Sequence, residues 1–195
     1  MKLGLILESP KDGTDHKVYG LVIERLCPDM SIEAVGFRNK RDMIAGCGVA
    51  TKLLLESDMC DRVAIIWDLI PPWDDKPSCR CRDREKIIAN LRNANVNFSK
   101  VKLICIEPEL EGWIIVEKNA LQAYRNERQP THQRRFDPPK IYKTNRKCKP
   151  IIERYLGKYN DITEAKLIVE KITNFDRVAR KHESFRRFKE FMEGW

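Results

Sequence analysis

Two uninterrupted apolar runs constrain the fold of this chain more than any other feature of its sequence. RVAIIW at 62–67 and VKLICI at 101–106 are short and bounded by polar residues, as strands buried on both faces of a sheet are. Leu3–Leu7 and Ser31–Phe37 are further strand candidates, and segments with helical spacing follow each run. Strict alternation of strands and helices predicts an α/β fold with a mostly parallel four-stranded sheet flanked by helices.

The chain changes character after residue 123. The segment 124–150 holds nine Lys plus Arg against two acids, together with four prolines, and predicts a long basic loop. Short helices are predicted after it, at about 149–156, 161–171, 174–182 and 184–193. We therefore expect an α/β core at 1–123 and, at 124–195, a basic loop and a helical extension packed on that core.

Charge is distributed unevenly along the chain. Residues 1–117 carry 17 Lys plus Arg against 19 Asp plus Glu, whereas residues 118–195 carry 20 against 10. A nearly neutral first part beside a basic second part is typical of a catalytic or metal-binding core with a surface for a polyanion. A solvated basic face with no partner is the other interpretation.

Several protein classes are excluded or disfavoured by the sequence. No apolar run approaches the roughly 18 residues of a membrane span, so no membrane association is expected. The N-terminal apolar run is too short for a secretory signal. The seven cysteines are odd in number and mostly lie in apolar stretches, which favours reduced thiols and a cytoplasmic protein. The pair Cys79 and Cys81 supplies only half of a zinc site, and there is no Gly-rich phosphate loop.

Acidic residues follow three of the predicted strands. Glu8 follows the first, Asp68 the third, and Glu107, Glu109 and Glu111 the fourth. Parallel strands place these ends at one edge of the sheet, where ligands bind. Clustered carboxylates repel one another unless a cation such as Mg²⁺ lies among them, which next to a basic surface indicates metal-assisted phosphodiester chemistry. Helix capping is the competing interpretation, above all for Glu109 and Glu111.

Four blocks of the sequence resemble one family. These blocks are LILESPKDGTDHKVY, RVAIIWDLIPPWDD, ICIEPELEGWIIVEKNALQAY and the tail from RKCKPIIERYLGKYN to SFRRFKEFME. They are similar to the TOPRIM-like (topoisomerase–primase) domains. More closely, the chain looks like the small stand-alone proteins of the DUF4276 family, which are related to the overcoming-lysogenization-defect (OLD) and RloB-type defence nucleases. The resemblance implies a Rossmannoid TOPRIM-like sheet and Mg²⁺ or Mn²⁺ as cofactor.

The resemblance also implies roles for individual residues. Glu8, Asp68 and Glu111 match the family's catalytic acids, and Trp113 matches the aromatic residue of its Leu-Glu-x-Trp block. Glu8 and Asp68 are the implied metal ligands. The second acid of the Asp-x-Asp motif would fall at residue 70, where Ile70 stands. Asp75, or its neighbour Asp74, could supply the missing ligand from the loop.

Basic residues of the loop are the nucleic-acid-binding candidates, because cations bind phosphates and the interleaved aromatic rings can stack on bases. They are Arg125, Arg128, Arg134, Arg135, Lys140, Lys143, Arg146 and Lys147.

The sequence therefore predicts a metal-dependent nuclease that hydrolyses DNA or RNA. The resemblance adds an ABC-type or AAA-type ATPase partner and a role in prokaryotic antiphage defence. The other reading, which Ile70 favours, is a catalytically weakened TOPRIM-fold module that binds nucleic acid or the ATPase.

Overall fold

The computed structural model describes residues 1–129, 135–137 and 147–194. The chain divides into two compact units, Met1–Cys105 and Ile106–Trp195. No helix among the described residues is both long enough and apolar enough to cross a membrane.

The first unit is built around a four-stranded, all-parallel sheet. The strands are β1 (Lys2–Leu7), β2 (Ser31–Gly36), β3 (Arg62–Asp68) and β4 (Val101–Ile106), and the helices between them are α1 (Thr14–Leu26), α2 (Lys40–Glu56) and α3 (Arg80–Asn93). The predicted fold class is thereby confirmed. The predicted strands of this unit agree with the observed ones to within one residue at each end.

Strand order places β1 and β3 side by side in the middle of the sheet. The order is β2-β1-β3-β4, and β1 pairs in parallel with β2 on one side and β3 on the other. Both central strands are buried along nearly their whole length, which explains why their sequences are continuous apolar runs. Because the chain moves outward from β1 to β2 and then returns to β3, the carboxyl ends of β1 and β3 form the topological switch point of the sheet.

The second unit is helical. Its helices are α4 (Glu111–Val116), α5 (Lys118–Arg128), α6 (Lys149–Leu156), α7 (Asp161–Glu170), α8 (Phe175–Lys181) and α9 (Glu183–Glu193). The four helices predicted in the tail are all present. Phe175, Phe185 and Phe188 are buried and pack together.

The sequence prediction differs from the structure at the start of the second unit. The sequence of 109–123 predicts a single helix, but the backbone at Glu117 (φ −98°, ψ 70°) separates α4 from α5. Helix α5 then continues to Arg128, through residues expected to lie in the basic loop. The helix extends this far because Tyr124 and Arg125 gain partners there: Tyr124 donates a hydrogen bond to Glu164, and Arg125 stacks on Tyr155.

Close packing between α2 and α3 depends on Gly48. A methyl group on Gly48 would lie 2.4 Å from the main-chain oxygen of Asn90 on α3. We expect Gly48→Ala to destabilise the protein by about 2 kcal/mol, because the two helices must separate. Gly20→Ala on α1 is the matched control, since a methyl group there meets nothing within 4 Å and should stabilise by about 0.5–1 kcal/mol. Urea denaturation measures both, and equal effects would contradict the packing argument.

Candidate functional site

The structure brings Glu8 and Asp68 together at the switch point of the sheet. Glu8 directly follows β1, and Asp68 is the last residue of the adjacent strand β3. The main-chain N–H of Asp68 donates a hydrogen bond of 3.3 Å to Glu8 Oε1. Residues 60 positions apart in the sequence are therefore neighbours, as expected for two acids at the carboxyl edge of a parallel sheet.

The Glu8 carboxyl lies in surroundings that disfavour its ionised form. Its Oε2 atom is buried and accepts no hydrogen bond within the described part of the chain. Burial raises the pKa of Glu8 to about 8, with Asp15 raising it further and the positive charge of Lys40 opposing the rise. A buried carboxylate oxygen without a donor is a position that a bound cation would satisfy.

Lys40 is a buried cation of the same unit that the sequence analysis missed. It is the first residue of α2, directly after the N-cap Asn39, and its side chain is 4% exposed. The Nζ atom donates hydrogen bonds to the main-chain oxygens of Leu69 (3.0 Å) and Pro71 (2.5 Å). Lys40 therefore holds the chain that immediately follows Asp68. A lysine at the start of an amphipathic helix resembles any solvated lysine in sequence, so only its burial distinguishes it.

The loop after β3 is held by further side chains. Trp73 donates through Nε1 to Asp83 Oδ1 (3.0 Å), and Arg82 binds Asp74 Oδ1 at 2.9 Å. Asp83 is 1% exposed, and burial raises its pKa, with the charge of Lys40 as the largest opposing effect. Asp75, the predicted third ligand, is exposed to solvent.

Residue 70 makes no polar contribution to this edge. Ile70 is 7% exposed and belongs to the hydrophobic core of the unit. No group of three or more His, Cys, Asp or Glu side chains is placed to hold a metal ion, within residues 1–129, 135–137 and 147–194. By donor type alone, the carboxylates of Glu8 and Asp68 suit a magnesium ion, which is commonly bound by one or two carboxylates and completes its shell with water and substrate phosphate.

The three acids that follow β4 have separate surroundings in the second unit. Glu107 binds Arg187 at 2.6 Å. Glu109 is buried and accepts hydrogen bonds from the main-chain N–H groups of Cys148 and Lys149 at the start of α6. Glu109 therefore fits the helix-capping interpretation. Glu111 is the first residue of α4 and is 7% exposed.

The Glu111 carboxyl is also held in a buried, acidic environment. Burial raises the pKa of Glu111 to about 8, and the neighbouring Glu109 carboxylate raises it further. Burial and the Glu111 carboxylate in turn raise the pKa of Tyr159. A neutral Glu111 is able to act as a proton donor near neutral pH.

We expect Glu111 to make stability decrease as pH rises. The pKa of Glu111 is higher in the folded chain than the ordinary 4.5, so the folded state retains a proton that the unfolded state releases. Between pH 6.5 and 8.5 this should lower the free energy of unfolding by about 2 kcal/mol. Glu111→Gln should remove that part of the pH dependence, measured by urea denaturation across the range. Glu153→Gln, an exposed position on α6, serves as the control; an unchanged slope in Glu111→Gln would contradict the prediction.

Trp113, the aromatic residue of the Leu-Glu-x-Trp block, is a core side chain of the second unit. It is 2% exposed and donates through Nε1 to Ser184 Oγ at 3.0 Å. Its ring packs edge-on against Phe185, with centroids 4.8 Å apart, and lies 5.1 Å from Phe188. In this structure Trp113 joins α4 to α9.

The predicted nucleic-acid-binding residues have different surroundings. Arg125 is buried and lies 4.8 Å from the centroid of the Tyr155 ring. Arg128 binds Glu164 and the main-chain oxygen of Lys158. Arg135 and Lys147 are exposed, with Arg135 3.5 Å from Asp137. The remaining predicted residues lie outside the described residues: Arg134, Lys140, Lys143 and Arg146.

Comparisons of the chain with protein-family models, with curated proteins and with solved structures find no match. The relationship to the TOPRIM-like proteins thus stays a prediction that rests on the sequence blocks quoted above.

Proposed function

We propose that this chain is a TOPRIM-like, metal-dependent nuclease that hydrolyses phosphodiester bonds of DNA or RNA. The observation that carries the proposal is the meeting of Glu8 and Asp68 at the carboxyl ends of the two central strands, with Glu8 Oε2 buried and without a hydrogen-bond donor in the described chain. Ligands of open α/β sheets bind at such a switch point.

Glu8 and Asp68 would hold Mg²⁺ or Mn²⁺. A divalent cation bound there would polarise the scissile phosphate and offset the charge that develops during hydrolysis. The half-buried position of both carboxylates strengthens their attraction for a cation, because less water screens the charges. The excess of basic residues at 118–195 would attract the polyanionic substrate.

A weakened binding module is the second candidate function, and the observation that favours it is Ile70. An apolar core residue occupies the position of the family's second metal-binding Asp, so the site offers fewer ligands than the family's full set. Such a module would bind nucleic acid, or an ABC-type or AAA-type ATPase, without cleaving anything. The ATPase partner, the antiphage role and the cytoplasmic location follow from the resemblance and from the cysteine content.

The test is incubation of the purified chain with labelled single-stranded DNA, double-stranded DNA and RNA, each in Mg²⁺, Mn²⁺ or EDTA. Cleavage of at least one substrate with metal, and none in EDTA, is the expected result. Absence of cleavage in every metal condition would contradict a self-sufficient nuclease. Binding that weakens steeply with salt in the absence of cleavage would favour the binding module.

A further inference from the structure

Lys40 is a buried lysine whose ammonium group is hydrogen-bonded by neutral main-chain carbonyl groups. It is 5% exposed, and lysine side chains are seldom fully buried unless they are paired. It forms an ion pair with Asp83 Oδ2 at 3.9 Å, while its hydrogen bonds go to the main-chain oxygens of Leu69 and Pro71. The ammonium group is thus placed by neutral carbonyl groups, and the partner carboxylate lies beyond hydrogen-bond distance.

The two carbonyl groups that bind Lys40 belong to the residues on either side of Ile70. This short stretch directly follows Asp68, so Lys40 fixes the main chain next to one of the two acids at the switch point. The charge of Lys40 also acts on Glu8, the other acid, because it is the largest influence that lowers the pKa of Glu8. Lys40 therefore acts on both acids of the candidate site.

The charges of this region explain why a buried ammonium is useful there. The negative charges of Asp15 and Asp83 both raise the pKa of Glu8, because carboxylates brought together repel one another. A fixed positive charge lowers that repulsion without any ligand from solution. It also repels an incoming divalent cation, so the number of metal ions that the edge can hold decreases.

We propose that Lys40 is a positioning residue that serves as a built-in cation of this edge, limiting it to one divalent metal ion held by Glu8 and Asp68. The inference rests on the proposed metal site. It adds that the second positive charge of the site is the ammonium group of Lys40 and not a second metal ion.

The test measures binding of Mn²⁺ to the purified full chain by electron paramagnetic resonance of the free ion. The wild-type chain should bind one ion, and Glu8→Gln should abolish that binding. Lys40→Met removes the charge at nearly constant volume and, at a pH high enough to ionise Glu8 in both chains, should tighten Mn²⁺ binding roughly tenfold or admit a second ion. Lys40→Arg keeps the charge and should behave like the wild type.

Lys52→Met is the matched control, because Lys52 lies on the same helix α2 with a side chain that is 50% exposed. The same change of charge there should leave Mn²⁺ binding unaltered, since solvent screens it. Should Lys40→Met fail to fold in a thermal-unfolding assay, Lys40→Gln removes the charge and keeps hydrogen-bond donors for Leu69 and Pro71.

Each outcome decides the proposal. Tighter binding or a second ion in the Lys40→Met chain supports it, because a residue with a purely structural role would weaken metal binding when removed. Unchanged or weaker binding, with a wild-type site that depends on Glu8, overturns the role of Lys40 and leaves the metal site intact. Binding that occurs only in Lys40→Met overturns the proposed limit of one ion, because the wild-type site would then hold none, and it overturns the metal-dependent enzyme as well. Binding in neither chain overturns both.

Discussion

Glu8→Gln and Asp68→Asn are each expected to lower metal-dependent cleavage by about 10²–10³-fold, while the chain stays folded. Each substitution replaces a carboxylate oxygen with a neutral amide, which is a weaker ligand for a hard cation. Loss of one preorganised electrostatic contact to a reacting phosphate has an effect of this size. Initial rates of cleavage under saturating Mn²⁺, compared with the wild type, measure the loss.

The control for this pair lies at the opposite end of the same strand. Asp61 immediately precedes β3, is exposed and accepts a hydrogen bond of 2.8 Å from the main-chain N–H of Lys2. Asp61→Asn removes an equal charge from the amino edge of the sheet and should leave the cleavage rate within about twofold, since an exposed charge acts weakly at a distance. Asp75→Asn tests the predicted loop ligand: a loss as large as that of Asp68→Asn would assign Asp75 to the site. Full activity in Glu8→Gln would overturn the assignment of Glu8.

Trp113→Ala is expected to destabilise the second unit by about 3–5 kcal/mol. The substitution empties the space of a fully buried ring and removes the donor to Ser184 Oγ, and large-to-small changes of this kind combine lost burial with a residual cavity. The edge-on contact with Phe185 adds to the loss. Urea denaturation followed by far-ultraviolet circular dichroism measures it.

Two further variants separate the contributions of Trp113. Trp113→Phe keeps an aromatic ring and removes the indole N–H, so we expect a smaller loss of about 1–2 kcal/mol. Leu167→Ala on α7, where the side chain is 44% exposed, should change stability by less than about 0.5 kcal/mol. Stability close to that of the wild type in Trp113→Ala would contradict a core role for Trp113.

The secondary structure of the chain could be predicted because its signals are local. The strand Val101–Ile106 begins and ends where the apolar run VKLICI does. The tail helices begin close to capping residues such as Asn160 and Asn174, whose side chains accept hydrogen bonds from main-chain N–H groups. The helix break at Glu117 was missed, since nothing in the surrounding composition distinguishes that residue.

The different roles of individual acids could not be predicted from the sequence. Glu109 and Glu111 lie two residues apart in a similar context, yet Glu109 accepts hydrogen bonds from the start of α6 while burial raises the pKa of Glu111. The difference arises from segments about 40 residues further along the chain. Likewise, the predicted basic loop includes Arg125, which the fold buries on Tyr155.

The sequence by itself determined the α/β class, because the period of its apolar residues is a property of each short segment. It also determined which acids follow strands. The tertiary structure alone decided that β1 and β3 are adjacent, that Glu8 therefore meets Asp68, and that Lys40 is buried against Leu69 and Pro71. Strand order and burial depend on packing between residues 30 to 60 positions apart, and no local pattern of side chains encodes those distances.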